Sequence, residues 1–251
     1  MRGSHVLPRP EILSNLARDS RRLLARVLDI LMPQDCLLCG EPAGPDGLCA
    51  DCCNELPRRP LTACPVCALP GLSGGPCAQC LREPPHYDAT LALFDYAFPV
   101  DRLVHGLKYG HQLSVARYLA QELCAIGGDF ARRADLLVPM PLHARRLAER
   151  GFNQAVEIAR PLAKASDLPM ELARVKKVRD TPAQATLDRE ERLRSPRGVF
   201  DCDLVLAGSR VLVVDDVMTT GATLDELARC LKRQGASWVG NLVVARTPTP
   251  G

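Results

Sequence analysis

Eight of the twelve cysteines stand in four CxxC pairs whose spacing describes one metal site written twice. "CLLC" (Cys36, Cys39) is followed by "CADC" (Cys49, Cys52), and "CPVC" (Cys64, Cys67) by "CAQC" (Cys77, Cys80); each cysteine of the first unit has its counterpart 28 positions on. A CxxC turn aims two thiolates at one point, and a second such turn completes the tetrahedral S4 shell that Zn2+ prefers in closed structural sites. Glycine and proline crowd these turns (Gly40, Pro65, Gly74, Gly75, Pro76), and few residues between positions 34 and 85 are fit to build a core. Bound metal would therefore supply the folding free energy. Two structural zinc ions are expected, each held within one unit (36, 39, 49, 52 and 64, 67, 77, 80) or by units that interleave. Cys53 breaks the repeat, and Cys124, Cys202 and Cys230 fall in apolar segments where a thiol reads as a small core residue. The competing readings are a disulfide framework, which lacks a secretion signal to go with it, and an iron–sulfur cluster.

A second chemistry is written in "VLVVDDVMTTGATLDELARCL" (211–231). An apolar run ends on two carboxylates, Asp215 and Asp216; then Thr219, Thr220, Gly221, Ala222 and Thr223 lead into a helical pattern. The first amides of a helix are unpaired and carry the positive end of its dipole, which makes an anion site. Gly221 permits close backbone approach, and the threonine hydroxyls add donors. Two acids beside that loop would repel a bare phosphate. They suit a ligand that also presents hydroxyls or a divalent cation, as a sugar phosphate does. A plain helix cap explains the threonines but not the acid pair. No GxxxxGK[ST] occurs in the chain, which argues against a P-loop nucleotide hydrolase.

These groups need a scaffold, and the texture of the chain from about Ala89 provides one. "ATLALFDYAF", "DLLVPMPL", "RVLVVD" and "VGNLVVAR" read as strands. "VDRLVHGLKYG", "SVARYLAQELCAIG", residues 153–165 and residues 223–234 read as helices, with "MELARVKKV" and "GVFDCD" between. Alternating buried strands and helices predict an α/β fold, a parallel sheet with helices on both faces and ligands beyond the carboxyl ends of the strands. Leu13, Leu16, Leu23, Leu24, Val27 and Leu31 recur near helical spacing, so residues 1–33 are expected to form an amphipathic helix ending before Pro33. The predicted organisation is that helix, a double zinc ribbon over 34–85, and one α/β domain over 86–251.

The acid pair and loop resemble the PRPP-binding signature of type I phosphoribosyltransferases. With the CxxC knuckles, "LVPMPLHARRLAERGFNQA" (137–155) and "RDTPAQATLDREERLRSPRGVF" (179–200), the chain resembles the ComF/GntX family, in which a double zinc ribbon precedes a phosphoribosyltransferase domain. The resemblance implies that Asp215 and Asp216 hold the ribose hydroxyls, directly or around Mg2+, and that 219–223 cradle the 5-phosphate. Pro139, Met140, Pro141 and Leu142 take the place of the pyrophosphate loop, with Arg145, Arg146 and Arg150 as nearby positive charge. Asn153 and Gln154 are helix-start donors beside it, and His143 adjoins the same loop. The 179–200 segment matches the flexible loop that closes over such sites, with Gln184 and Arg192 as contacts. Where relatives usually read Asn-Leu before its Arg-Gly, this chain has Ser195 and Pro196.

On the same resemblance the reaction is displacement of Mg-pyrophosphate from PRPP by a nitrogen acceptor, in the cytoplasm. The alternative is a PRPP- or nucleotide-sensing module working through a helicase, another DNA-uptake protein, or single-stranded DNA. Bulk numbers are compatible with either. The 251 residues carry a formal charge of only +3, but residues 141–198 hold 13 Lys/Arg against 8 Asp/Glu, which suits a phosphorylated ligand. No apolar run approaches the ~18–20 residues of a membrane span. The ribbon is poor in aromatic side chains on which bases would stack.

Overall fold

Four runs rich in Val, Leu and Ala become four parallel strands, because each is apolar enough to be covered on both faces. The computed structural model describes residues 35–44, 47–60, 62–71, 74–110, 112–180 and 198–248. The amphipathic helix expected over 1–33 lies outside them, as do Gln184 and Arg192. The chain divides into two compact units, Met1–Asn54 and Glu55–Gly251.

In the smaller unit, the Cys36 turn closes through Gly40 N–H to the Cys36 carbonyl (2.9 Å), and Gly40 sits at φ +79°, where a side chain would be strained. Helix α1, Ala50–Asn54, follows Cys49 and carries Cys52. The larger unit repeats the device: Cys77 precedes α2, Ala78–Arg82, which carries Cys80.

Beyond it run β1 (Ala89–Asp95), α3 (Val100–Tyr109), α4 (Leu113–Ala131), β2 (Leu136–Pro139), α5 (Ala144–Arg150) and α6 (Gln154–Ser166). Then come β3 (Val175–Lys177), β4 (Phe200–Cys202), β5 (Arg210–Met218), α7 (Ala222–Arg233) and β6 (Trp238–Arg246). The parallel sheet has the order β1-β6-β5-β2, while β3 and β4 form a separate antiparallel pair. Side-chain alternation divides the core. Val211, Val213, Val239 and Val243 pack with Leu224, Leu227 and Leu231 of α7. Leu242 faces the other way, against Gly127 of α4, where an added Cβ would come within 3.0 Å of it.

The outer side of β1 is also occupied. Arg59 N–H donates to Leu93 O (3.0 Å), Asp95 N–H to Pro57 O (2.9 Å) and Thr90 N–H to Pro65 O (2.9 Å).

Strand β5 runs three residues past Asp215, where the apolar pattern stops. The cause is β6, which stays beside it to the pairs Val217↔Ala245 and Met218↔Arg246. On its other side the last pairing is Pro139↔Val214. Both acids thus stand beyond the end of β2, at the notch where its chain turns away.

Candidate functional site

Four sulfurs gather twice. The ligand atoms of Cys36, Cys39, Cys49 and Cys52 lie within 4.8 Å of one another, and so do those of Cys64, Cys67, Cys77 and Cys80. Grouping is thus within each unit, and Cys53 belongs to neither cluster. Cys39 and Cys49 Sγ are 3.7 Å apart, as are Cys67 and Cys77 Sγ. That is the edge of a tetrahedron with metal–sulfur bonds of about 2.3 Å, and far from the ~2.05 Å of a disulfide. Backbone amides support the sulfurs, Cys77 N–H donating to Cys64 Sγ at 3.2 Å. Two such clusters fit structural zinc.

A cleft of about 680 Å³ opens at the carboxyl ends of β2 and β5. Asp215, Thr219, Gly221 and Thr223 line one side, and Met140, Pro141 and Leu142 the other. Gly221 adopts φ +87° immediately before α7; a Cβ there would meet Met218 Cε at 2.7 Å and the Tyr87 hydroxyl at 3.0 Å. Glycine is therefore required twice over, by backbone angle and by space. Thr220 Oγ1 accepts from Ala222 N–H at 3.3 Å, so this hydroxyl caps the helix.

The two acids have different surroundings. Asp215 is half-buried on the cleft wall. Burial, and next the charge of Asp216, raise its pKa to about 7, although the Asp216 amide, Lys108 and Lys177 pull the other way. Asp216 is 4% exposed and receives Lys108 Nζ on Oδ1 at 3.0 Å, while its Oδ2 is buried with no hydrogen-bond partner among the described residues. Burial alone would lower the Lys108 ammonium, but Asp216 outweighs it and holds the charge. Consecutive strand residues face opposite ways, and of the two acids only Asp215 lines the cleft, where its carboxylate suits a hydroxyl or a hard cation such as Mg2+. Asp216 is enclosed behind it and holds Lys108, which does line the cleft.

Of the three neighbouring arginines, Arg146 and Arg150 line the cleft. Arg146 pairs with Asp180 at 3.2 Å, and Arg150 lies over the Tyr109 ring at 5.1 Å. Arg145 is 68% exposed and pairs with Glu149 and Asp180 instead. Pro139 is buried as the last residue of β2. Asn153 caps α6, accepting from Ala155 N–H, and its Nδ2 donates to Met140 O at 3.0 Å, which pins the neighbouring loop. Gln154 lines the cleft, with Oε1 buried and without a partner among the described residues. His143 caps α5, its Nδ1 accepting from Arg145 N–H.

Sequence reasoning missed Lys108, Lys177, Tyr96 and Tyr109, which also line the cleft. Lys108 ends a helix, where a lysine reads as a dipole partner, and no motif marks it. The i, i+4 spacing of Arg146 and Arg150 did carry a signal, since it puts both on one helix face and turns Arg145 away.

Two family models match the chain in this order. Residues 27–81 match the family model of the double zinc ribbon domain, and residues 147–250 that of the phosphoribosyl transferase domain. The "DNA utilization protein YhgH" of Salmonella typhimurium (strain LT2) is 34% identical over 226 residues, 87% of this chain and 99% of that protein. "Competence protein F" of Haemophilus influenzae is 30% identical over 159 residues, 60% of this chain and 69% of that protein. The structure of an orotate phosphoribosyltransferase from Aeropyrum pernix superposes with a TM-score of 0.35 at 20% identity, over 58% of this chain and 64% of that one.

Proposed function

The chain belongs to the ComF/GntX family, a double zinc ribbon joined to a phosphoribosyltransferase domain, and from that premise we propose that its cleft binds PRPP with Mg2+. The observation that carries this reading is one strand end that offers both kinds of group the ligand needs. Asp215 receives the ribose hydroxyls, with Asp216 behind it holding Lys108 at the cleft, and the loop 219–223 with the α7 N-terminus receives the 5-phosphate. Arg146 and Arg150, across the cleft, receive the pyrophosphate. Mg2+ would sit with that pyrophosphate near Asp215 and supply leaving-group neutralisation.

The chemistry is displacement at C1 of the ribose: a nitrogen lone pair forms the C1–N bond as the C1–O bond to pyrophosphate breaks. Positive charge grows on the ring in the transition state. Holding the sugar, neutralising the leaving group and excluding water lower that barrier more than a strong base would. Arg145 does not line the cleft and reaches it only through Asp180, which it shares with Arg146. The names of the relatives, a DNA utilization protein and a competence protein, support an acceptor or partner connected with DNA use; the family resemblance adds single-stranded DNA or a helicase as the partner of the ribbon. That assignment places the protein in the cytoplasm; among the described residues no helix is long and apolar enough to cross a membrane.

Calorimetry with PRPP and Mg2+ tests the site. Binding should be lost in the double variant Asp215→Asn, Asp216→Asn, and unchanged affinity removes the assignment. Pyrophosphate release in the presence of candidate amines and bases then tests transfer; tight binding without release supports a sensor.

A further inference from the structure

Behind the anion loop lies the second cysteine cluster, and the contacts between them form a continuous chain. Arg246, 4% exposed, donates from Nε to the Cys67 carbonyl at 3.0 Å. Its Nη1 donates to the carbonyls of Met218 (3.2 Å) and Thr247 (3.0 Å), and to that of Thr219. Among the described residues, the hydrogen-bond partners of this buried guanidinium are backbone carbonyls. Because trans peptide units point C=O and N–H in opposite directions, drawing the 218 and 219 carbonyls onto Arg246 turns the Thr219 and Thr220 amides away from it. The guanidinium stays charged, and that charge stands directly behind the loop.

Tyr87 makes a second connection. It is buried on the segment that leaves the cluster, and its hydroxyl backs Gly221, leaving no room for a side chain. Next to it, His86 N–H and Nδ1 meet Asp225 in the first turn of α7. Cys64, Cys67, Cys80 and Tyr87 share one apolar cluster with Met218 and Leu224.

We infer that the second cysteine cluster is the back support of the anion loop, and that Arg246 is the positioning residue through which the metal-loaded turn at Cys67 orders the amides at 219–223. The inference rests on the reading that this loop takes a sugar phosphate. Coupling is reciprocal in free energy, so a ligand that favours the ordered loop stabilises the metal-loaded turn by the same factor.

Hydrogen exchange on the full chain, with ribose 5-phosphate as the probe, tests it. Stripping zinc from wild type should speed exchange at 218–224 together with 64–69, by about tenfold. Cys36→Ser, which touches only the first cluster, should leave 218–224 unchanged. Arg246→Met should loosen 218–224 at full zinc content, and Arg246→Lys, which keeps the charge but reaches fewer carbonyls, should do so partially. Ribose 5-phosphate should slow both segments in wild type and only 218–224 in Arg246→Met. Affinity for inorganic pyrophosphate, met by Arg146 and Arg150, should stay within about twofold in both variants, which a general loss of structure would not allow. If 218–224 ignores both zinc and Arg246, the inference is overturned. If ribose 5-phosphate changes nothing in any variant, the sugar-phosphate reading falls, while the response to zinc still decides the coupling.

Discussion

Two cysteine units share one spacing and stand in different settings. The first belongs to a compact unit of its own, with Cys39 exposed. The second is built into the large unit, with Cys64, Cys67 and Cys80 buried. Donor geometry is encoded in the repeat, and it came out the same twice. What ties the second cluster to the sheet is encoded outside the repeat, at Tyr87 and Arg246. Duplication therefore copied a metal site, and the residues after it decided what that site supports.

The largest expected effect divides the clusters directly. Cys80→Ser should cost one zinc and lower the main melting transition by more than about 10 °C, since structural zinc binding contributes on the order of 10 kcal/mol to folding. Cys52→Ser should also cost one zinc and leave the main transition within about 2 °C. Equal effects on thermal denaturation would erase the distinction.

Packing gives the next contrast. Leu227 is fully buried on α7, so Leu227→Ala should cost about 2–5 kcal/mol in denaturant unfolding of the large unit. Leu48→Ala, in the small unit, should leave that transition in place. A smaller loss is expected at Glu226, which accepts Gly198 N–H at 2.6 Å and the Nε and Nη2 of Arg229 at 2.7 Å each. Burial would raise its pKa, but Arg229 and the Gly198 amide win and hold it low. Its stabilising contribution is therefore present above the ordinary carboxylate range and lost as pH falls. Glu226→Gln should cost about 1–3 kcal/mol at pH 7 and less in acid.

Asp215 has the opposite sign. Its folded pKa, about 7, lies above the ordinary 3.8. Between those values the folded state binds the extra proton, so stability falls as pH rises and levels off above about 7. Asp215→Asn should melt above wild type at pH 8 and match it below pH 4. Calorimetry of PRPP with Mg2+ should show wild-type affinity strengthening as pH rises through 7.

The metal shells, the strands and the glycine of the anion loop were legible because each rests on local rules: thiolate spacing, alternating burial, a φ that only glycine tolerates. Residues 216–218 of β5 were not, since their strand character comes from β6 running beside them and not from their own polarity. Lys108 was hidden for the same reason. Its partner Asp216 is distant in sequence, and nothing in "HGLKYG" announces the pairing. Arg246 looked like the charged end of a strand until its four carbonyl partners were brought around it.

The hydrogen bonds along β1 have a consequence for how this protein fails. β1 is the outermost strand of its sheet, and residues 57–59 and Pro65 satisfy groups on its open side. Pro65 belongs to the CPVC turn, so the second metal site also guards an edge against strand addition from another molecule. A chelated sample should lose this guard before it loses the sheet. Light scattering should then rise while the helical circular dichroism is still near its starting value, and the first product of metal loss would be an associated sheet, not an unfolded chain.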